Sequence, residues 1–464
     1  MPEPPVREAP LPDPPVPDPP VPGPSHGRLR RPGRRAVLTV AAAGAGAALA
    51  STLSACSAAG GSSRGVTLTF SWWGNDDRAA RTEKAVRLFE QENPGITVRT
   101  SNGDFGAYMQ KLATQAAGGG IPDVAQLDYR QISQYAGGGA LLRLDEILSG
   151  GAIRTAEMDR GFLRTGTYEE RQFALPMGRG ITGYAYDAAL YRKAGIRTPR
   201  PSWTWQEWAD ANRRITALGL KAPDGRPFTG ANDNGPNEDI FETWLRSRGG
   251  RLYTSQTELG FTEDDLAEFW TFCDDLRRAG TVAGSKDTVQ AHSIETSPMG
   301  RGLAAADFTW DAPFPGYVGL LGGDIRFAPV PTTGGRAGSY FKATMLLGIG
   351  SGTAHPEEAA RLVDFLLNDV RAGDILGFTR STPPNRVIAD RVASTLTGPE
   401  KEIYQYARTM EEYGLAAPPT APPRGDVPIQ TAFTRIYQRV LYDLATPRQA
   451  ARELLAEADR ELRP

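Results

Sequence analysis

Residues 66–98 read VTLTFSWWGNDDRAARTEKAVRLFEQENPGITV. Val66, Thr67, Leu68, Thr69 and Phe70 alternate in polarity and are rich in β-branched side chains, which predicts a strand. SWWGNDD then breaks the alternation. A helix is predicted from about Arg78, and Asn93-Pro94-Gly95 ends it, because Pro lacks the N–H the ladder needs and Gly readily leaves the helical conformation. Ile96-Thr97-Val98 reads as a second strand. A helix over about 108–117 follows, then a Gly-rich break, then a third strand in Asp123-Val124-Ala125-Gln126-Leu127. This β-α-β-α-β order predicts an α/β fold with a parallel sheet covered by helices. Its connections should be right-handed, with ligands collecting at the carboxyl ends of the strands.

Further along, Phe173-Ala174-Leu175-Pro176 and Thr182-Gly183-Tyr184-Ala185-Tyr186 read as two strands flanking a turn. Thr204 with Glu207 has capping-box spacing, so a helix starts there and makes Trp205 and Trp208 packing neighbours. Thr262 with Asp265 repeats the device ahead of an apolar stripe of Leu266, Phe269, Trp270, Cys273 and Leu276. HPEEAARLVDFLLNDV is amphipathic. Residues 430–440 and 446–462 read as closing helices.

The first 27 residues hold twelve of the 37 prolines and predict an extended, unstructured tail. Arg28, Arg30, Arg31, Arg34 and Arg35 then precede an uncharged Ala/Gly-rich run over 36–55. Basic, apolar and small-residue segments in that order make a signal peptide. Leu53-Ser54-Ala55-Cys56 resembles the lipobox of bacterial lipoproteins, which implies lipidation of Cys56 and anchoring on the extracytoplasmic face of the cell membrane. Gly33-Arg34-Arg35-Ala36-Val37-Leu38 resembles a twin-arginine (Tat) export motif, with Gly33 and Val37 departing from its usual residues. Residues 56–65 would be a flexible tether.

The whole chain carries 52 basic and 54 acidic residues. Six Arg and four acidic residues fall within 1–55, leaving a net charge of −4 after them. No basic field for nucleic acid exists. The roughly 400 residues after Cys56 exceed one ordinary core, so two domains are expected. Cys273 is the only cysteine beyond Cys56, so no internal disulfide is expected there. With three histidines in the chain, a structural zinc site is not expected.

Several phrases fall in a definite order: FEQENPGITV, KLATQAAGGGIPDVAQLD, FALP, YAYDAALYRKAGI, PSWTWQEW, WLRSRGG, GLAAADFTW, APVP, GIGSGTAHPEEAARLVDFLL and TRSTPPN. Together they resemble the family 1 extracellular solute-binding proteins of ABC importers, the group that includes maltose-binding protein. The resemblance implies a periplasmic-binding-protein-like fold. Two α/β lobes would be joined by three crossings, near 176–182, near 339 and near 380–385. It divides the chain into a tail (1–27), a signal (28–55), a tether (56–65), an N-terminal lobe (66–178 and 340–378) and a C-terminal lobe (179–339 and 379–464). The lobes would close on ligand about a hinge.

A sugar offers flat C–H faces to aromatic rings and a rim of hydroxyls to polar side chains. On that basis Trp73 is the ring expected to face ligand rather than Trp72. Asn75 and Asp76 stand at the family's first ligand loop, with helix capping as the competing role. Asp128 and Tyr129 follow the third strand, where the family carries an acidic and aromatic pair. Arg179 lies at a crossing and could reach the cleft or bridge the lobes. Asn232 and Asp233 belong to the polar loop NDNGPNED. Counted as a calcium loop from Asp233, it has Trp244 where the twelfth-position Glu should be, so a ligand-facing polar loop is preferred. Trp310 matches the family's cleft tryptophan, with Asp311 beside it, and Tyr340 lies at the second crossing.

The expected function is therefore capture of a carbohydrate, an oligosaccharide by preference, and delivery to ABC permease subunits by a monomeric protein without cofactor or metal. A glycerol phosphodiester is the alternative cargo, with Arg130 and Arg179 as candidate phosphate ligands. An exported glycosidase would need two carboxylates about 5–5.5 Å or about 6.5–9.5 Å apart across the scissile bond. No HExxH or Walker A motif occurs after the signal. An adhesin or sensor subunit would share the fold and lack the permease.

Overall fold

The computed structural model describes residues 65–415, 418–419 and 421–463. The proline-rich tail, the signal segment and Cys56 lie outside the described residues.

The first three strands are β1 (Val66–Trp73), β2 (Ile96–Gly103) and β3 (Val124–Leu127). β1 pairs in parallel with both neighbours, Val66 opposite Ile96 and Phe70 opposite Val124. The helix Asp76–Glu92 connects the first two, and its buried Ala85, Val86 and Phe89 cover the sheet. Asn75 caps it by accepting the Arg78 N–H at 3.0 Å.

A short hairpin follows, β4 (Thr167–Tyr168) with β5 (Arg171–Gln172). Its two tip residues, Glu169 and Glu170, take the left-handed backbone of a tight hairpin turn, at φ 47° and 59°. β6 (Ala174–Asp187) is a single strand of 14 residues. This corrects the expected pair of strands with a turn between them. Pro176, Gly178, Gly180 and Gly183 look like punctuation in the sequence. Here the glycines keep the strand extended where other groups crowd it. A Cβ at Gly178 would overlap the Arg380 carbonyl oxygen, and one at Gly183 would meet the Phe327 ring.

β7 (Tyr253–Ser255) and β8 (Glu258–Leu259) form a second small hairpin. β9 (Ala306–Trp310), β10 (Ile325–Ala328) and β11 (Phe341–Ile349) complete the strands. The first half of β6 pairs antiparallel with β11, and β11 pairs antiparallel with β3, so the sheet is mixed and not parallel as the β-α-β-α-β order predicted. The second half of β6 is flanked by β9 and β10 instead. One strand thus belongs to two sheet regions, and it runs from the N-terminal lobe into the C-terminal lobe.

Each lobe has its own core. Leu68, Phe70, Phe89, Leu347 and Leu366 pack together in the first. Trp205, Trp208, Trp244, Trp270 and Phe433 pack in the second, on helices Trp205–Thr216, Glu238–Ser247, Glu263–Arg278 and Asp426–Leu441. The capping boxes at Thr204 and Thr262 both form, the second with Asp265 at N3. Cys273 is buried in this core as a free thiol. Burial pushes it well above its ordinary pKa, so it is an apolar packing group and not a nucleophile.

The other two crossings lie against β6. The Arg179 N–H donates to the Thr382 carbonyl at 2.7 Å, and the Ser381 hydroxyl donates to the Arg179 carbonyl at 3.0 Å. Arg380 roots this third crossing in the N-terminal lobe, donating to Gln126 Oε1 at 2.8 Å and Thr82 Oγ1 at 2.9 Å. The second crossing runs through Ser339 and Tyr340 into β11.

Candidate inter-lobe binding site

β3 is buried along its whole length and ends at Leu127. Asp128 then accepts the Arg130 N–H at 2.8 Å and caps the 3-10 turn Tyr129–Gln131. That turn aims Tyr129 and Arg130 away from their own sheet. The Tyr129 hydroxyl donates to the Pro419 carbonyl at 3.0 Å. The Arg130 guanidinium reaches three carboxylates of the C-terminal lobe: Glu238 at 2.9 Å, Asp239 at 2.8 Å and Asp426 at 2.9 Å. Glu238 and Asp239 open one helix and Asp426 opens another, where negative charge also suits the helix dipole.

Lys342, on β11, comes from the opposite side. Its ammonium lies 3.5 Å from Asp239 and 3.9 Å from the centre of the Trp310 ring. The Trp310 indole N–H donates to the second Asp239 oxygen at 2.9 Å. Tyr340 donates to Glu242 at 2.5 Å, and Arg246 lies 4.4 Å over the Tyr340 ring. Tyr253 donates to Asp426 at 2.8 Å.

Burial would favour the neutral form of Asp239, but the Lys342 and Arg130 charges and the Trp310 N–H outweigh it and hold the carboxyl below the usual range. Burial dominates at Asp128, Glu238 and Glu242, and each is raised. Arg130 is held above its ordinary value: burial works against its charge, and Asp426, Asp239 and Glu238 more than restore it.

Beside this cluster lies a cavity of about 870 Å³. Tyr129, Arg130 and the 167–170 hairpin line it from the N-terminal lobe. Glu242, Arg246, residues 249–256 and Asp426 line it from the other, and Tyr340 and Lys342 from the second crossing. Of the residues expected from sequence, Tyr129 and Tyr340 stand on its wall and Asp128 and Trp310 stand behind it.

The others are placed elsewhere. Trp73 is 7% exposed and packs on Phe105 and Tyr108, so it is a core ring in the same way as Trp72. Phe105, which the sequence reading passed over, is the exposed ring at that strand end. Asn75 is occupied by capping, and Asp76 is an exposed first-turn residue of the same helix. Arg179 pairs with Glu411 at 2.8 Å and covers the Phe341 ring at 4.0 Å, so it bridges elements at the crossing. Asp311 is fully buried at the crossing, where it accepts from the Ser381 hydroxyl at 2.7 Å. Asn232 accepts the Met299 N–H at 2.9 Å, while Asp233 accepts the Gly235 N–H at 2.9 Å and the Tyr437 hydroxyl at 3.2 Å. Both border a different hollow, within the C-terminal lobe. Hydrogen bonds within the C-terminal lobe have absorbed their oxygens.

A cavity between two lobes, walled by both and by the second crossing at Tyr340 and Lys342, is the arrangement of a hinged binding protein. The model of the family described as bacterial extracellular solute-binding protein matches residues 73–370. The chain belongs to this family. A solved family 1 extracellular solute-binding protein of Alicyclobacillus acidocaldarius is 31% identical, with 86% of this chain and 99% of that one covered and a TM-score of 0.68. A periplasmic oligogalacturonide-binding protein of Yersinia enterocolitica, 22% identical, shares the fold over 86% of this chain and 98% of its own, with a TM-score of 0.73. Among curated relatives, the candidate ABC-transporter periplasmic-binding protein YcjN of Escherichia coli is 24% identical over 241 residues, 48% of this chain and 52% of that protein. An uncharacterized lipoprotein of Streptomyces antibioticus is 27% identical over 172 residues, 36% of this chain and 37% of its own. The chain thus spans about half of YcjN and less of the lipoprotein. Among the described residues no helix is long and apolar enough to cross a membrane.

Proposed function

We propose that this solute-binding protein captures a carbohydrate in the inter-lobe cavity and delivers it, chemically unchanged, to the permease of an ABC importer. The cavity itself carries the reading. At about 870 Å³ it suits an oligosaccharide better than a single small solute. Four tyrosines on its wall, Tyr129, Tyr168, Tyr253 and Tyr340, supply flat faces with hydroxyl handles. Two fold relatives were solved with sugars, one with cycloalternan and one with α-D-tagatose. Tyr129 and Tyr340 are the contact residues we assign. Trp310 contributes through Asp239 and Lys342. The lobes divide as 66–178 with 340–378 and 179–339 with 379–464. After export by the twin-arginine route, a lipid anchor on Cys56 would hold a monomer on the extracytoplasmic face of the cell membrane beside its permease.

Thermal-shift screening against a carbohydrate panel tests this. A ligand at 100 times its dissociation constant should add about 2.7 kcal/mol of stability. The mixture recovered afterwards should contain the sugar intact. Release of fragments would point to a glycosidase, and a panel without any shift would remove carbohydrate as the cargo.

A further inference from the structure

Three oxygens meet where the crossings touch. Asp311 directly follows β9 and is fully buried. Ser381 belongs to the third crossing and Arg179 to the first. Ser381 Oγ lies 2.7 Å from Asp311 Oδ2 and 3.0 Å from the Arg179 carbonyl oxygen. Both are hydrogen-bond distances, yet a serine hydroxyl has one proton to donate. If an ionised Asp311 takes it, the contact between Ser381 and the Arg179 oxygen is left without a proton. A second proton, on Asp311 itself, serves all three oxygens: Asp311 then donates to Ser381, and Ser381 donates to Arg179.

The surroundings favour that second proton. Burial pushes the Asp311 carboxyl up to about 7, against Ser381 and the Ala312 N–H at 2.8 Å. A Cβ at Gly180 would stand 3.0 Å from its Oδ1, so β6 packs directly on the carboxyl. The charged and titratable groups of the elements around it are engaged elsewhere. Tyr406, from the helix Gly398–Tyr413, donates to the Thr182 carbonyl at 2.7 Å. On β6, Arg179 turns its guanidinium to Glu411. On the third crossing, Arg380 turns to Gln126 and Thr82. Lys342 of β11 sits on the Trp310 ring beside Asp239. The helix Phe314–Leu321 donates the Phe314 N–H to the Asp311 carbonyl, and its Tyr317 donates to Asp307. Ser381 itself is held at φ 70°, a left-handed conformation that residues with side chains seldom adopt. Such strain persists only where surrounding bonds impose it, and it gathers at switch regions.

We propose that Asp311 is a proton-operated catch on the hinge. Protonated, it ties β9 through Ser381 to the first crossing and favours the lobes apposed as they are here. When the lobes open, the crossings shift, water reaches the carboxyl, and the proton passes to water. The inference concerns the hinge and goes beyond the carbohydrate reading, because it holds for any solute. Its sign follows from linkage. The apposed form has the raised carboxyl, and the open form an ordinary one at about 4. The advantage of the apposed form is therefore whole below about pH 4 and disappears as the pH rises through about 7.

Small-angle scattering of the full chain without solute, between about pH 5 and pH 8, reads the ratio of closed to open forms. The comparison is with Asp311→Asn, whose amide N–H replaces the carboxyl proton toward Ser381 and is never lost. Asp233, Glu238 and Asp307 also titrate in or near this range, but they remain in the variant. A difference between the two proteins therefore belongs to Asp311. Relative to the variant, the parent's ratio should fall about tenfold or more across the range. The variant should match the parent in acid and be the more closed of the two in alkali. If it does not fold, Asp311→Ala is read in its place, because it too has no proton to lose and its trend should be the flatter one. A parent that opens no more than the folded variant as the pH rises would overturn the proposal and leave the binding function untouched.

Discussion

Asp233 and Asp239 stand close in sequence, in the same lobe, and both are withdrawn from water, yet they carry charge differently. Asp233 has a tyrosine hydroxyl and a backbone N–H for partners, and burial pushes it up to about 7. Asp239 has Arg130, Lys342 and the Trp310 indole, and it stays ionised well below the ordinary range. The neutral donors at Asp233 do not offset the cost of burying its carboxylate; at Asp239 two cations together do, whereas at Glu238 the shared Arg130 alone does not. The origin of the partners matters as much as their charge. Tyr437 belongs to the same lobe as Asp233 and stiffens it. Arg130 belongs to the other lobe, so the charged arrangement exists only where the lobes meet. One acidic residue is scaffold and its near neighbour is interface.

Removing Arg130 is the most severe way to break this contrast. Arg130→Ala leaves Glu238, Asp239 and Asp426 close together without their shared cation. Losing one partner of a buried ion pair costs about 3–5 kcal/mol. Denaturant unfolding should show a loss of that order, and small-angle scattering should show the lobes further apart. A loss below about 1 kcal/mol, the size typical of an exposed pair, would mean that the three pairs do not hold the lobes. Asp239→Asn is the milder version. It removes one charge from Lys342 and Arg130, worth about 1.5–3 kcal/mol. Because the folded carboxyl is depressed, its stabilisation is present above the unfolded pKa and disappears in acid. The variant should therefore fall short of the parent at neutral pH and approach it as the pH is lowered.

The contrast also depends on the crossings that hold the lobes in register. Gly178 has no space for a side chain beneath Arg380, so Gly178→Ala must push the first and third crossings apart. Overpacking of this kind costs about 1–3 kcal/mol. Thermal unfolding checks the size of the loss. An unchanged midpoint would show that the crossings separate freely there.

How much of this was visible in the chain follows from the range of each interaction. The β1-helix-β2 unit and the helices capped by Thr204 and Thr262 are local, and periodicity and capping spacing predict them. β6 differs from the expected two strands because Gly178 makes room for Arg380 at the third crossing and Gly183 for the Phe327 ring, both distant in sequence, whereas local rules read glycine as a turn. Asn232 and Asp233 looked like ligand groups because their partners, Met299 and Tyr437, are distant. The same distance hid Glu242, Tyr253 and Asp426: Glu242 meets Tyr340, and Asp426 meets Tyr253 and Arg130, across long stretches of chain. Lys342 did leave a trace. It is the one charge in the apolar run FKATMLLGI, and an isolated charge in a buried strand needs a partner.

The smallest expected effect separates the two aspartates most cleanly. Asp233 titrates near 3.8 in an unfolded chain and near 7 when folded. Between those values the folded state binds more protons than the unfolded one, so this group's contribution to stability is whole below about pH 4 and shrinks as the pH rises through 7. Asn at this position offers the same acceptor to Gly235 and Tyr437 and has no proton to lose. Asp233→Asn should match the parent at about pH 5 and exceed it by on the order of 1 kcal/mol at about pH 8, where the parent must bury a charge. The sign is opposite to that for Asp239→Asn. Unfolding curves for both variants over the same pH range test the pair together. If both lose stability at neutral pH, then Asp233 also has a cation within reach, and the distinction between scaffold and interface carboxylates does not hold.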